Sequence, residues 1–358
     1  MSTVRDAQRT QRAQRTRGTG GRARWAAARG WGGVGLAGVA AACALAAAVV
    51  LLPLSQGGDP GAAGSGPRGR AVTLAAADGC TEPERSLRPD DAEGPAVRAI
   101  KERGKLIVGV DQNSYRWGYR DPATGDLKGF DIDLARAIAK DLLGSEDAVI
   151  FRAVPTNQRI PALDDERVDL VVRTMTINCD RIKQVAFSTA YFRTGQQVLA
   201  PKSSPITGYD DSLRGRRVCT AEGSTAYEAL QRESRGAVFR DERDDTAADE
   251  DVLTVPNQLD CLVRLQEGLA DAVVTDSALA AGQAAQDPAV ELKGEPFTTE
   301  YYGVAAKLGK DDLVRRVNRV LEEYRSGGGW TEAYGRWLAG DLPGTPEPPA
   351  PKYHERER

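Results

Sequence analysis

Apolar runs and amphipathic segments alternate along residues 95–340 and predict alternating strands and helices. Short continuous apolar runs, such as 106–110, suit strands that are buried on both faces of a parallel sheet. Apolar positions at helical spacing predict amphipathic helices, most clearly over 130–143. The predicted strands cover 106–110, 149–154, 168–172, 197–200, 217–220, 252–255, 271–274 and 302–306. The predicted helices cover 95–103, 130–143, 158–165, 180–186, 225–233, 258–267, 277–285 and 312–324, followed by an apolar helix face over 330–338.

This alternation predicts an α/β fold with a mostly parallel sheet and helices on both faces. The two halves of the pattern also resemble each other, since a helix leads into the strand 168–172 in one half and into 270–274 in the other. Each of these strands runs into a polar loop. Two similar lobes whose polar strand ends face each other would form a cleft, which is where ligands bind.

The two ends of the chain differ in composition from this body. Residues 1–30 carry eight arginines and predict a disordered cytoplasmic tail. Residues 31–54 are uncharged and apolar, long enough to span a bilayer, and the arginines before them predict an outside location for everything that follows. A cleaved signal peptide and a lipoprotein anchor at Cys43 are the alternatives to this transmembrane anchor. Residues 55–79 predict a flexible linker, and the Pro-rich residues 342–358 a disordered tail.

Composition excludes several kinds of chemistry. The net charge is −3 and the only histidine is His354 in the Pro-rich tail, so a histidine-based triad, general base or metal site is not expected. No phosphate-binding loop or nucleophile motif is present. We therefore expect no cofactor, no bound metal and no enzymatic activity. The acidic body after residue 80 argues against a nucleic-acid partner.

Four cysteines lie in the part of the chain that is predicted to be outside the cell, where disulfides persist. The sequence alone allows three pairings of these four residues, and it also allows free buried thiols. They are Cys80, Cys179, Cys219 and Cys261.

Polar side chains after the predicted strands form a candidate binding site. The guanidinium of Arg181 matches a carboxylate, and the helix start after Gly223 offers backbone N–H groups to an anion. Acids just past two strands could meet an ammonium group, so the set describes a site for an α-amino acid. Taken singly, these acids and Ser224 are equally typical of helix caps and turns. The candidates are Arg181, Thr174, Thr176, Ser224, Thr225, Asp111 and Asp276.

Several stretches together carry a family resemblance. They are Leu106-Ile-Val-Gly-Val-Asp111, Gly129-Phe-Asp-Ile-Asp-Leu134, Asp169-Leu-Val-Val-Arg-Thr-Met-Thr-Ile177 with Arg181, Leu213-Arg-Gly-Arg-Arg-Val218, Glu222-Gly-Ser224, Asp271-Ala-Val-Val-Thr-Asp276 and Tyr302-Gly303-Val304. Over about residues 105–339 the chain resembles the extracellular solute-binding proteins of amino-acid ABC transporters, in the branch for polar amino acids. It is most similar to actinobacterial glutamate- and glutamine-binding proteins.

The resemblance implies a two-lobed periplasmic-binding-protein type II (Venus flytrap) fold over residues 80–341. Lobe 1 would comprise about 80–200 and 301–341, and lobe 2 about 201–300, with crossovers near Ala200 and Tyr301. The resemblance also implies the disulfides Cys219–Cys261 and Cys80–Cys179.

The resemblance assigns roles to individual residues as well. Arg181 would hold the ligand's α-carboxylate with Thr176 and the backbone near Thr225. Asp276 would hold the α-ammonium group and Asp111 would border the pocket. Arg159 would bind a side-chain carboxylate, with Arg116 and Arg173 as the alternatives for that role.

The implied function is the capture of a polar amino acid, glutamate first and then glutamine or aspartate, for delivery to an ABC permease in the cell membrane. A monomer is expected. One alternative is a sensor that signals through a membrane partner to a cytoplasmic kinase, because the predicted uncleaved membrane helix and inner tail suit that role. A dehydratase-like enzyme is a third possibility, which the scarcity of histidine disfavours. A further departure is Ala221, where many family members have a basic residue.

Overall fold

The computed structural model describes residues 80–240, 252–342, 344 and 347–355. The predicted cytoplasmic tail, membrane anchor and linker lie outside these residues. Among the helices of the described residues, none has the length and apolar character that a membrane crossing requires.

The strands and helices alternate along the described chain. The strands are β1 (Leu106–Val110), β2 (Asn113–Ser114), β3 (Gly118–Arg120), β4 (Leu127–Lys128), β5 (Val149–Ala153), β6 (Leu170–Val171), β7 (Val185–Phe187), β8 (Phe192–Thr194), β9 (Gln196–Pro201), β10 (Val218–Ala221), β11 (Thr254–Val255), β12 (Ala272–Asp276), β13 (Val290–Lys293), β14 (Glu300–Tyr302) and β15 (Ala305–Lys307). The helices are α1 (Pro95–Arg103), α2 (Phe130–Leu143), α3 (Arg159–Asp164), α4 (Thr225–Arg232), α5 (Gln258–Gln266), α6 (Ser277–Gln286), α7 (Asp311–Ser326) and α8 (Gly329–Trp337).

Two five-stranded sheets define two lobes. Lobe 1 is built on the strand order β5-β1-β6-β15-β7, and lobe 2 on β11-β10-β12-β9-β13. In each sheet the first three strands are parallel and the fourth runs antiparallel to them. The carboxyl ends of the parallel strands of each lobe lie at the cleft, so the segments after β5, β6 and β10 and the last residue of β12 carry most of the site residues described below.

Each sheet is covered on both faces, because successive residues of its strands point to opposite sides. In lobe 1, Leu170 belongs to the apolar cluster with α1, α2, α7 and α8, whereas its neighbour Val171 belongs to the cluster with α3. In lobe 2, Val273 packs with α5, and Ala272 packs with α4. These near-continuous apolar strands explain why the sequence pattern predicted the sheets.

A two-stranded ribbon of β8 and β14 links the lobes. The first crossover therefore comes at 192–194, earlier than the predicted position near Ala200, and β9 is part of lobe 2 instead of lobe 1. Gly195 directly follows β8. A Cβ atom at this position would collide with the carbonyl oxygen of Thr298, so only glycine fits there. The sequence pattern identified β9 as a strand but not the sheet to which it pairs.

Three further sequence predictions need correction. The predicted helix 180–186 is a single 3₁₀ turn, Arg181–Lys183, followed directly by β7. The predicted strand 302–306 is two strands in different sheets, which the chain separates at Gly303. The small sheet β2-β3-β4 was not predicted, since its strands are too short to show a period.

The tail 342–358 was predicted to be disordered, but its described part, 347–355, lies against lobe 1. Tyr353 forms a parallel bridge with Ser86, with hydrogen bonds of 3.0 Å from Ser86 N to Lys352 O and 2.9 Å from His354 N to Ser86 O. The Tyr353 hydroxyl donates to Glu322 of α7 at 2.6 Å. Composition alone did not show these partners, because they come from the far end of the chain.

Deletion of residues 347–358 should lower the free energy of unfolding by about 2 kcal/mol. The two backbone hydrogen bonds contribute about 1 kcal/mol each, and the side-chain contacts of Lys352 and Tyr353 with Glu84 and Glu322, which are partly exposed, add less. Urea unfolding followed by tryptophan fluorescence measures the change, and deletion of residues 356–358 alone is the matched control. Equal unfolding midpoints for the two deletions would show that the tail does not stabilise lobe 1.

Candidate functional site

A cavity between the lobes collects polar groups from both. It measures about 240 Å³ when the part open to solvent is counted, and its enclosed part has room for about one water molecule. Its wall consists of Thr156, Arg159, Arg173, Thr174, Thr176 and Arg181 from lobe 1, with Ser224, Thr225, Gln258, Asp276 and Leu279 from lobe 2. Three guanidinium groups and one carboxylate line this wall, so it favours an anionic group.

The structure brings most of the predicted binding residues to this wall and leaves two elsewhere. Those on the wall are Arg159, Arg173, Thr174, Thr176, Arg181, Ser224, Thr225 and Asp276. Arg116 lies instead in the tight turn between β2 and β3, with φ of 66°, and donates to Asp341 at 2.7 Å. Asp111 lies behind the wall, where its Oδ2 is 3.0 Å from Arg173 Nη2. The unpredicted hairpin explains the position of Arg116.

Arg181 joins the two lobes. Its Nη1 donates to Thr176 O at 2.9 Å within lobe 1, and its Nη2 donates to Gly223 O of lobe 2 at 3.1 Å. Glu228 of α4 is 3.5 Å from the same Nη2. Gly223 has φ of 72°, and a Cβ atom there would lie 2.9 Å from Asn157 Cα, so this close approach of the lobes requires glycine.

Arg159 is also committed to backbone carbonyls. Its Nε donates to Thr156 O at 2.9 Å and its Nη2 to Gly223 O at 3.0 Å. Burial, together with the charges of Arg181 and Arg173, lowers the pKa of Arg159 well below its usual range. Arg159 therefore holds the loop after β5 against lobe 2 and contributes positive charge to the wall.

Arg173 differs from the other two arginines. It is 1% exposed, and its Nε and Nη2 atoms have no aligned hydrogen-bond acceptor, although Asp111 is close enough to Nη2 for an ion pair. Asp111 is itself fixed, since it accepts from the hydroxyl of Ser114 at 2.7 Å and from two backbone N–H groups. The Arg173–Asp111 pair is thus a buried ion pair with unused donors on the arginine.

The loop after β6 is held in an unusual conformation. Thr174 has φ of 42°, a left-handed value that is a genuine outlier for a β-branched residue. Its N–H donates to Asp131 of α2 at 2.9 Å, and Asp131 also accepts from the Tyr191 hydroxyl at 2.8 Å. Burial raises the pKa of Asp131 to about 7. Such strain persists where surrounding contacts fix it, and here it shapes the wall of the cavity.

Carboxylates converge where the cavity meets the ribbon of β8 and β14, which is the hinge between the lobes. Asp276 accepts from the Tyr302 hydroxyl at 2.7 Å and from the Gln196 amide. Glu300 accepts from the hydroxyls of Thr176 and Thr225, both at 2.8 Å, so it contacts both lobes. Burial, and secondarily the charge of Glu300, raise the pKa of Asp276 to about 7. A cation placed at this end would relieve that repulsion.

Helix α4 begins next to these carboxylates, since its first residue donates a hydroxyl hydrogen bond to Glu300. Ser224 caps it by accepting from Tyr227 N at 3.1 Å, and Thr225 is its first residue. Free N–H groups at a helix start favour an anion. Ser224 is therefore both a cap, as one reading of the sequence suggested, and a residue of the cavity wall.

Several residues of this region were not predicted from the sequence. Thr156, Gln258 and Leu279 line the cavity, and Gln196 and Glu300 tie it to the hinge. Glu300 precedes a recognisable Tyr-Gly motif, but nothing in the local pattern indicates that it reaches both lobes. Among the described residues, no group of histidines, cysteines and acids could hold a metal ion.

The structure contains two disulfides, Cys80–Cys179 and Cys219–Cys261, which are the pairs that the family resemblance implies. The first joins the segment at Cys80, which precedes α1, to the loop that carries Arg181. The second joins β10 to α5 inside the core of lobe 2. Both therefore hold elements next to the cavity.

Comparisons with known proteins agree on one family. The family of bacterial extracellular solute-binding proteins, family 3, matches residues 106–340. The ABC transporter glutamine-binding protein GlnH of Bacillus subtilis is 34% identical over 251 residues, which are 70% of this chain and 87% of that protein. The L-glutamate/L-aspartate-binding protein of Pseudomonas aeruginosa is 26% identical over 254 residues, which are 69% of this chain and 81% of that protein.

Solved structures share the two-lobed architecture. An ancestral arginine-binding protein bound to glutamine is 34% identical and superposes with a TM-score of 0.58 over 66% of this chain and 98% of its own. The family match covers residues 106–340, so the part of this chain that the family does not match lies at its two ends.

Asp276→Asn should stabilise the protein at pH 8 but not at pH 4. The pKa of Asp276 is raised by folding, so its carboxyl stabilises the fold at low pH, and that contribution is lost as the pH rises toward about 7. Urea unfolding at pH 4, 6 and 8, without added amino acid, measures the difference. Asp126→Asn, at an exposed site, is the matched control. A wild-type protein that gains stability relative to Asp276→Asn between pH 4 and pH 8 would contradict the prediction.

Proposed function

The chain belongs to the bacterial extracellular solute-binding proteins of family 3, and on that premise we propose that it captures a polar amino acid, glutamate first, between its two lobes. Glutamine and aspartate rank next. The observation that carries this proposal is the cavity wall, which brings Arg181 of lobe 1 together with the start of α4 and Asp276 of lobe 2. The function is capture by closure, without a chemical step.

Arg181 and the start of α4 are the proposed site of the α-carboxylate. Arg181 is a buried guanidinium with a planar set of donors, and it contacts both lobes through Thr176 O and Gly223 O. The backbone N–H groups near Thr225, the first residue of the helix, add donors from lobe 2. A carboxylate held here would take donors from both lobes and so would favour their closed arrangement.

Asp276 and Glu300 are the proposed site of the α-ammonium group. The two carboxylates share the Gln196 amide as a donor, and Glu300 contributes to the raised pKa of Asp276. An ammonium group between them would neutralise this excess of negative charge. Both lobes meet at this point, because Glu300 also accepts from Thr176 and Thr225.

Closure about the ribbon of β8 and β14 is the proposed mechanism. The enclosed space has room for about one water molecule, so the lobes must separate before an amino acid can enter. Trp117 Nε1 donates to Ala278 O at 3.1 Å across the lobes, and its ring packs on Phe192 and Tyr302 of the ribbon. The ligand would replace the direct contacts that Arg159 and Arg181 make with Gly223.

Delivery to an ABC permease at the outer face of the cell membrane completes the proposal. The uncharged run 31–54, with arginines before it, supports an anchor that keeps the lobes outside the cell. The relatives named above support transport as the use of the captured amino acid.

Arg181→Ala should weaken glutamate binding by about a hundredfold or more, because loss of a buried charged partner costs several kcal/mol. Calorimetric titration of the full chain in mild detergent measures this, with glutamate, aspartate, glutamine, asparagine, arginine and histidine as ligands. The matched control is Arg116→Ala, which removes an arginine outside the cavity. Failure of the wild type to bind any of these amino acids would refute the proposed function, and unchanged affinity in Arg181→Ala would refute the site.

Binding at pH 6 should release about one proton per amino acid, because a bound ammonium group favours the ionised form of Asp276. The pKa of Asp276 is about 7 before binding, so affinity should fall by about tenfold per pH unit between pH 6 and pH 5. Calorimetry in two buffers of different ionisation enthalpy measures the release.

Asp131 is the comparison for this experiment, because its pKa is also about 7 although it contacts Thr174 and Tyr191 instead of the ammonium site. Release that persists in Asp131→Asn assigns the proton to Asp276. Loss of the release in that variant, or affinity independent of pH, would contradict the assignment.

A further inference from the structure

A buried chain of hydrogen bonds runs from the cavity wall to the hinge. Its first member is Thr174, whose N–H donates to Asp131 at 2.9 Å. Asp131 in turn accepts from the hydroxyl of Tyr191 at 2.8 Å. All three residues are at most 4% exposed, and of the three only Thr174 lines the cavity. The carboxylate of Asp131 therefore joins the wall to the residue that directly precedes β8.

Tyr191 belongs to the hinge through its backbone. Its N–H donates to Tyr302 O at 2.8 Å, and its carbonyl accepts from Trp330 Nε1 at 2.8 Å. Tyr302 ends β14, the second strand of the ribbon, and donates its own hydroxyl to Asp276. Each crossover thus carries a tyrosine that donates to a buried carboxylate, Asp131 in lobe 1 and Asp276 in lobe 2.

The needs of helix α2 do not explain the contacts of Asp131, which lies in its first turn. An acid at that position ordinarily interacts with the free N–H groups of its own helix start. Both carboxylate oxygens of Asp131 instead accept from residues outside the helix. Its backbone N–H donates to Trp117 O at 3.0 Å, and the same carbonyl leaves no room for a Cβ atom at Gly129. The start of α2 is therefore fixed where it presents the carboxylate to Thr174 and Tyr191.

Thr174 depends on this acceptor. Its φ of 42° is one that a β-branched residue rarely adopts, and the residue is buried. Without the carboxylate its N–H would lose its acceptor, and the backbone would return toward an ordinary conformation. Arg173 before it and Thr176 after it line the cavity, and Thr176 O accepts from Arg181 at 2.9 Å. A change of backbone at Thr174 would therefore move these donors.

We propose that Asp131 is a positioning residue for capture of the amino acid. It holds the left-handed Thr174, and with it the wall of lobe 1, at a fixed place relative to the hinge strand β8. The wall then keeps its binding conformation when the lobes separate, so the ligand does not have to impose the strained backbone. This inference rests on the proposed function, because its effect is measured as affinity for an amino acid.

Electrostatics alone offers the competing explanation. Asp131 interacts with the charges of Arg173 and Asp111, so removal of its carboxylate also alters the charge near the wall. Asp131→Asn separates the two effects, because it removes the charge and keeps both hydrogen bonds. The asparagine oxygen accepts from Thr174 N–H, and its NH₂ group donates to the Tyr191 hydroxyl oxygen. Asp131→Ala removes the charge and both hydrogen bonds.

The test is calorimetric titration of the full chain in mild detergent, with the six amino acids used for Arg181→Ala. Asp131→Ala should raise the Kd of the tightest ligand by about tenfold or more, because the ligand must then impose the strained loop. Asp131→Asn should bind within about threefold of the wild type. The matched control is Asp169→Ala, which removes an acceptor of Ile107 N from the opposite end of β6. It should lower the unfolding temperature and leave the Kd unchanged.

Thr174→Gly shows whether Asp131 acts through Thr174. Glycine adopts a left-handed backbone without support, so the contact with Asp131 matters less in its presence. In the Thr174→Gly background, Asp131→Ala should raise the Kd by less than about threefold relative to Thr174→Gly alone. Should Asp131→Ala alone not fold, recovery of folded protein in the double variant supports the same role, and its failure to fold overturns it.

The outcomes separate this inference from the proposed function. A Kd that Asp131→Ala leaves unchanged, or raises equally in both Thr174 backgrounds, would overturn the positioning role while leaving capture intact. A loss of affinity in Asp131→Asn as large as that in Asp131→Ala would assign the effect to charge and overturn the role as well. Absence of binding of all six amino acids to the wild type would refute the proposed function, and this inference with it.

Discussion

Burial of charge between the lobes is the constraint on which the rest of the structure depends. Arg159, Arg173, Arg181 and Asp276 are each less than a tenth exposed. A buried ion without a partner costs several kcal/mol, so every one of them needs an acceptor or donor nearby. The loops after β5, β6 and β10 supply these partners. The carbonyl of Gly223 accepts hydrogen bonds from two arginines, and the left-handed backbone at this position requires glycine.

The hinge and the charged site are one system. Gln196 lies at the start of β9 and Glu300 at the start of β14, and both contact Asp276 or the threonines of the cavity. A rotation of the lobes about the ribbon therefore changes the separation of the very groups that would hold the ligand. A bound ligand therefore shifts the angle between the two lobes, because the ligand interacts differently with their open and closed arrangements.

The sequence predicted the sheets and most of the helices, because strands buried on both faces leave continuous apolar runs that end at polar loops. It located Asp276, which ends such a strand, and Arg181, which follows one across a polar loop. It could not locate the contact of Glu300 with Thr176 or that of Tyr353 with Ser86, each of which joins residues more than a hundred positions apart. Nor could it show that Arg159 donates to backbone carbonyls whereas Arg173 forms an ion pair with Asp111.

The two lobes contribute charges of opposite sign to the cavity wall. All three guanidinium groups come from lobe 1, whereas the lining carboxylate, Asp276, comes from lobe 2. A ligand with carboxylates would therefore be attracted first to lobe 1, where its anionic groups find their donors. Its ammonium group gains a partner only when lobe 2 approaches, so the positive end of the ligand favours closure. A diacid without an amino group would meet the first condition and not the second, and recognition of an amino acid needs both.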